Sequence, residues 1–255
     1  MGRLISGLCS ITFRQLSAEE VVELVKTAGL ETIEWGGDIH VPHGDVAKAR
    51  EVRDLTKSAG LVSAAYGSYY RVGESEAAGL EFEDVLASAK ALGAPTIRVW
   101  AGTRCSDVAS QDYFEEVVQD TKRIASLAEG EGISVSFEYH GNTLTDTNEA
   151  AQSLFAACDH ANLYTFWQPP HHKTTDYRAE GLKAVLPKLA SLHTFCWPEP
   201  GVRRPLKEGQ AEWLRYLEIA KSSDRDHPVM LEFVQDDSPE NFLRDAQTLR
   251  AWLDG

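Results

Sequence analysis

The chain has 255 residues, 43% of them hydrophobic and 25% charged, enough apolar material for a large core and too much for disorder. Its 39 acidic against 25 basic residues leave a formal charge of −14, which argues against a nucleic-acid partner and disfavours an anionic membrane surface. Cys9, Cys105, Cys158 and Cys196 have neither metal-site nor disulfide-framework spacing and read as reduced thiols of a cytoplasmic protein. The opening MGRLISGLCSITF lacks the length and cleavage signature of a signal peptide. No apolar run approaches the roughly 20 residues that span a bilayer.

Two periodicities alternate along the chain. Residues 4–12 predict a first strand. Ser17 opens a helix as its N-cap, Glu20 completes a capping box, and Gly29 ends the helix. Strands are then predicted at 32–37, 62–68, 96–102, 134–140, 163–168, 191–197 and 228–234. Helices are predicted between them at 45–59, 80–92, 110–129, 147–158, 178–189 and 208–222. A last helix starts behind Ser238 as N-cap, with Pro239 at its first position, and runs to about residue 253. Alternating units of this kind build a parallel sheet, and eight of them build a (β/α)8 TIM barrel, here an α/β fold over residues 1–255 as one domain. An open doubly wound sheet would place a glycine-rich phosphate turn after the first strand, and CSITFRQLS has none.

Chemistry gathers at the C-terminal ends of the strands, where barrel enzymes carry their active sites. SVSFEYH brings Glu138 to the end of the fifth strand, and PVMLEFV brings Glu232 to the same place in the eighth. Gln168 ends the sixth strand and His193 lies in the seventh. An isolated acid or histidine in a strand is more often a paired structural residue than a ligand. Four such groups on adjacent strands, about 4.8 Å apart, converge on one point and form an O/N donor set suited to Mg²⁺, Mn²⁺, Co²⁺ or Zn²⁺. Tryptophans mark the same end. Trp35, Trp100, Trp167 and Trp197 close four strands, and strand alternation turns Trp197 toward the side of His193 and Trp167 away from it. Aromatic faces around a polar mouth suit a sugar-like ligand. His40, Arg98, Arg104, His140, His171, His172, Arg203 and Arg204 flank the strand ends as candidate hydroxyl, carbonyl or phosphate contacts. Of these polar and aromatic groups, His40, Trp100, His140, His171, Trp197 and Arg204 are taken as substrate-binding.

Over essentially its whole length the chain resembles the xylose isomerase-like TIM-barrel superfamily. The resemblance rests on AGLETIEWGGDIH, SVSFEYHGNT, WQPPHH, LHTFCW and VMLEFV. It implies one divalent metal held by Glu, Asp, His and Glu from the last four strands, which carries over to Glu138, His193 and Glu232. The sixth-strand pattern is usually Asp-x-x-His. Here it reads Gln168-Pro169-Pro170-His171, so an amide stands where an acid is expected, and metal affinity should be lower. The resemblance also implies a sugar or polyol substrate, and its members are often dimers or tetramers, which leaves a homo-oligomer open.

The leading reading is a metal-assisted sugar isomerase or epimerase in which Glu138 and Glu232 move a proton beside a carbonyl through an enediolate. A dehydratase acting on an inosose-like keto-polyol would begin with the same step. A sugar-binding barrel without catalysis is an alternative that Gln168 keeps open. A phosphodiesterase resembling endonuclease IV needs a richer His/Asp set and a basic face, which this sequence lacks.

Overall fold

The computed structural model describes residues 2–199 and 201–255. Eight parallel strands hydrogen-bond in chain order and close, last against first, into a single barrel. The first half runs β1 (Leu4–Cys9), α1 (Ala18–Ala28), β2 (Thr32–Gly36), α2 (Val46–Ser58), β3 (Val62–Arg71), α3 (Phe82–Leu92), β4 (Thr96–Trp100) and α4 (Gln111–Glu129). The second runs β5 (Ser134–Glu138), α5 (Asn148–Cys158), β6 (Leu163–Trp167), α6 (Thr175–Val185), β7 (Leu189–Thr194), α7 (Gln210–Lys221), β8 (His227–Leu231) and α8 (Pro239–Asp254). No helix of the described residues is long and apolar enough to cross a membrane.

Local chemistry sets the helix ends. The Ser17 hydroxyl accepts from the Glu20 amide at 3.3 Å while the Glu20 carboxylate accepts from the Ser17 amide at 2.7 Å, so two orphan donors are satisfied together. Gly29 closes α1 at φ 68°, a left-handed backbone that costs a Cβ-bearing residue energy. Asp45, Ser110, Thr147, Thr174 and Ser238 cap their helices through their side chains.

Alternation along each strand sorts side chains between the lumen and the helix layer. In β2 the Trp35 indole reaches out to Thr56 on α2, and Glu34 takes the opposite face. In β6 Trp167 packs outward against Trp213 and Tyr216 of α7, ring centroids 6.4 and 5.0 Å away.

Several strands are shorter than predicted, and the difference builds the mouth of the barrel. The first ends at Cys9, not residue 12, because Ser10–Phe13 form a buried 3₁₀ turn. Its Ser10 hydroxyl accepts from the Gly36 amide at 2.9 Å. The fifth, seventh and eighth end at Glu138, Thr194 and Leu231, so the chain leaves the sheet within one residue of Glu138, His193 and Glu232. The third runs longer, to Arg71, across a bulge at which Tyr69 has φ 57°. The predicted helix 178–189 starts earlier, behind the Thr174 cap, and breaks into a 3₁₀ turn around Pro187, so β7 begins at Leu189.

Candidate active site

A cavity of about 500 Å³ opens at the C-terminal end of the barrel. Glu138, His140, Gln168, His171, Trp197, Glu232 and Phe233 line it. At its floor the predicted ligands meet. His193 Nδ1 lies 3.3 Å from Glu138 Oε1 and 3.5 Å from Glu232 Oε2. Glu138, His193 and Glu232 each offer an atom within 4.8 Å of the others, and all three are buried. Gln168 completes the quartet. Its amide nitrogen donates to the Tyr139 carbonyl at 2.6 Å and to Glu138 Oε1 at 3.3 Å. A carbonyl accepts only, so it fixes which way round the amide sits and leaves Gln168 Oε1 buried without a partner.

Below the quartet lies a charged ring. Arg98 Nε donates to Glu34 Oε1 at 2.5 Å, and its Nη1 donates to Glu138 Oε2. His193 Nε2 donates to Glu34 Oε2 at 2.9 Å, because a carboxylate only accepts. Trp100 Nε1 adds a second donor to Glu138 Oε2 at 2.5 Å. Glu34 and Arg98 are 0% and 1% exposed. Gly67 on β3 makes room for them: a Cβ there would stand 2.7 Å from Glu34 Oε1 and 2.8 Å from Arg98 Nη2.

The two strand-end glutamates have opposite surroundings. Burial pushes the Glu138 carboxyl up, but the Arg98 guanidinium and His193 outweigh it and hold it well below the usual carboxylate range. Glu34 is lowered in the same way, with burial overcome by Arg98 and His193. Glu232 has no such clamp. Burial, reinforced by the Glu138 and Glu34 carboxylates against His193 and Arg98, lifts it to about 7. His193 is pushed down by burial but raised well above the ordinary histidine value by Glu232 and Glu34. Glu232 is aimed by backbone contacts: its amide donates to the Thr194 carbonyl at 3.2 Å. The next residue, Phe233, is held at φ 48° with its amide on the Thr12 hydroxyl at 2.9 Å. A left-handed phenylalanine is a strained conformation of the kind that collects at functional sites.

Among the predicted substrate contacts, His140, His171 and Trp197 line the cavity. Trp197 stacks on Phe195 at 3.9 Å between centroids and lies parallel to His171 at 5.9 Å. Trp100 stands beside the cavity, stacked on His140 at 4.4 Å. The structure does not bring His40 or Arg204 there. His40 is buried behind β2, its ring between the Ser10 hydroxyl and the Leu16 carbonyl and edge-on to Trp35. Arg204 is exposed on the loop after β7, where its backbone amide bonds to Cys196. Sequence reasoning overlooked Glu34 and took Arg98 only as a flanking contact. Opposite charges at the centres of TIEWG and TIRVW, both on the inward side by alternation, were the available signal.

The pattern that defines the xylose isomerase-like TIM barrel family matches residues 22–252. The chain belongs to that family. No curated protein matches it. Among solved structures it is similar to the "probable 3-DHS dehydratase AsbF" of Bacillus anthracis, with TM-score 0.80 and 22% identity over 98% of this chain and 99% of that one. It is also similar to the D-allulose 3-epimerase of Methylomonas sp., with TM-score 0.74 and 14% identity over 99% of both chains. A third relative by structure is a xylose isomerase-like TIM barrel protein from Mycobacterium smegmatis in complex with magnesium, with TM-score 0.72 and 15% identity over 99% of this chain and 97% of that one. At these identities the likeness establishes the fold, and the reaction has to be argued from the site.

Proposed function

We propose that the chain is a divalent-metal-dependent isomerase or epimerase of a sugar or sugar-like polyol. One observation carries the reading: Glu138, Gln168 and Glu232 line one cavity with His193 against the two glutamates, and both Gln168 Oε1 and His193 Nδ1 are buried without a hydrogen-bond partner. Buried polar atoms are almost always satisfied, so two unpartnered atoms on residues that meet at an acidic cluster fit an ion. Mg²⁺, Mn²⁺, Co²⁺ and Zn²⁺ all suit this set of oxygen and imidazole donors. The ion would polarise the carbonyl and neighbouring hydroxyl of the substrate as a Lewis acid. The four free thiols accord with a reducing, cytoplasmic setting.

The chain's own groups handle the proton. Glu232, with a carboxyl raised to about 7 and no clamp, takes a proton from the carbon beside the carbonyl and leaves an enediolate. Glu232 returns that proton at the neighbouring carbon, or Glu138, after taking a proton from a substrate hydroxyl or solvent, delivers one on the opposite face. Trp197 offers a flat apolar wall to the C–H face of a sugar ring, and His140 and His171 supply polar contacts to its hydroxyls. Glu138→Gln and Glu232→Gln, assayed against a panel of ketoses, are each expected to lower turnover by about 10²–10⁴-fold. Unchanged turnover in both variants would refute the assignment.

A second reading is favoured by the clamp on Glu138. With one of its oxygens held by Arg98 and Trp100, a reaction that needs a single free base fits the site well. Dehydration of a keto-polyol is such a reaction: Glu232 takes the proton and hydroxide leaves from the next carbon. Product NMR in D₂O separates the two readings, because an isomerase conserves mass and incorporates solvent deuterium whereas a dehydratase releases water.

A further inference from the structure

Glu34 and Arg98 have no evident reason to be where they are. Neither lines the cavity, and both are sealed in the barrel. A buried ion pair is costly to desolvate, and well-packed apolar residues of the same volume stabilise a core as well or better. Stability alone therefore does not account for a guanidinium and a carboxylate at this depth. Their contacts do. Arg98 takes the Glu138 oxygen that faces away from His193, and Glu34 takes the His193 nitrogen that faces away from Glu138. The remaining atoms, Glu138 Oε1 and His193 Nδ1, are then turned toward each other and toward Glu232. A carboxylate on the far nitrogen is what orients an imidazole for a metal and makes it a better donor.

We propose that Glu34 and Arg98 are positioning residues of a divalent-metal centre whose donors are Glu138 Oε1, Gln168 Oε1, His193 Nδ1 and Glu232. This rests on reading the quartet as a metal site. The ring Glu138–Arg98–Glu34–His193 aims Glu138 Oε1 and His193 Nδ1 at one point, so the ion meets donor atoms already in place. Arg98 also restrains Glu138 to binding through a single oxygen.

The test is Mn²⁺ titration by calorimetry on the metal-free wild type, on Glu34→Gln and on the double variant Glu34→Gln/Arg98→Met. Folding is followed in each by circular dichroism. Glu34→Gln keeps the volume and removes the carboxylate, and a loss of Mn²⁺ affinity of about 10- to 100-fold is expected. The double variant removes one buried charge of each sign and so leaves the net buried charge unchanged, which guards against a variant that simply fails to fold. It should show the same loss, and the visible bands of bound Co²⁺ should shift as His193 loses its anchor. A folded variant that binds Mn²⁺ as the wild type does, with an unaltered Co²⁺ spectrum, overturns the positioning role and leaves the metal reading standing. A wild type that binds no Mn²⁺ overturns the metal reading and the proposal with it.

Discussion

Gln168 is the residue at which the site departs from an all-acid design. The Tyr139 carbonyl fixes its amide so that oxygen, not nitrogen, is left over for a ligand. Neutral oxygen is a weaker partner for a cation than carboxylate oxygen. Gln168→Asp should therefore tighten Mn²⁺ binding by about tenfold or more, roughly 1.4 kcal/mol or above. Calorimetry on the metal-free variant measures it, and weaker binding would show that the amide is not among the donors. The meeting of Glu138, His193 and Glu232 was legible in the sequence because strand ends of adjacent units must converge. Glu34 and Arg98 were harder to see because each is a single charge inside an apolar strand, and their partnership spans 64 residues and an intervening strand. His40 and Arg204 were placed by proximity along the chain, and loops do not preserve direction: one side chain folded back against Trp35 and the other stayed in solvent.

Elements were read more securely than their ends. Helix caps are local, and Ser17 with Glu20, or Ser238 before Pro239, specify their turns from a few adjacent residues. Strand ends are decided by tertiary contacts. The first strand stops at Cys9 because Ser10 is engaged by Gly36 and His40, partners 26 and 30 residues away. At the opposite end of the barrel β8 opens with His227, fully buried with neither ring nitrogen bonded. Burial, with Arg225 nearby, lowers its pKa to about 4. Above pH 6.5 the imidazole is neutral in both folded and unfolded chains. Between pH 6.5 and 4 the unfolded chain takes up a proton that the folded one refuses, so stability falls as pH falls. Allowing for solvent near the strand end, the loss is on the order of 2 kcal/mol. His227→Leu should remove it. Melting temperatures at pH 7.5 and pH 5 are the measurement, and an equal acid-induced drop in wild type and variant would contradict the assignment.

At the scale of the whole molecule, the barrel centre holds three carboxylates, Glu34, Glu138 and Glu232, against one guanidinium and one imidazole. Arg98 neutralises a full charge among them, and Glu232 and Glu34 push His193 toward its charged form. The acids are thus partly balanced without an ion, and the apolar core between strands and helices is continuous around the barrel. Folding should not require metal, in contrast to small domains whose ligands are their only core. An ion that binds the folded chain alone adds stability by mass action, about 2.7 kcal/mol at a free concentration 100 times its dissociation constant. For a chain of this length that corresponds to a rise in melting temperature of roughly 5–10 °C. Saturating Mn²⁺ is expected to produce that rise, and excess chelator to reverse it while far-ultraviolet circular dichroism at 25 °C stays native. Loss of helical signal on chelation would mean that the Arg98 ring does not balance the acids. A melting temperature indifferent to Mn²⁺, Mg²⁺, Co²⁺ and Zn²⁺ alike would mean that the four converging donors hold no ion.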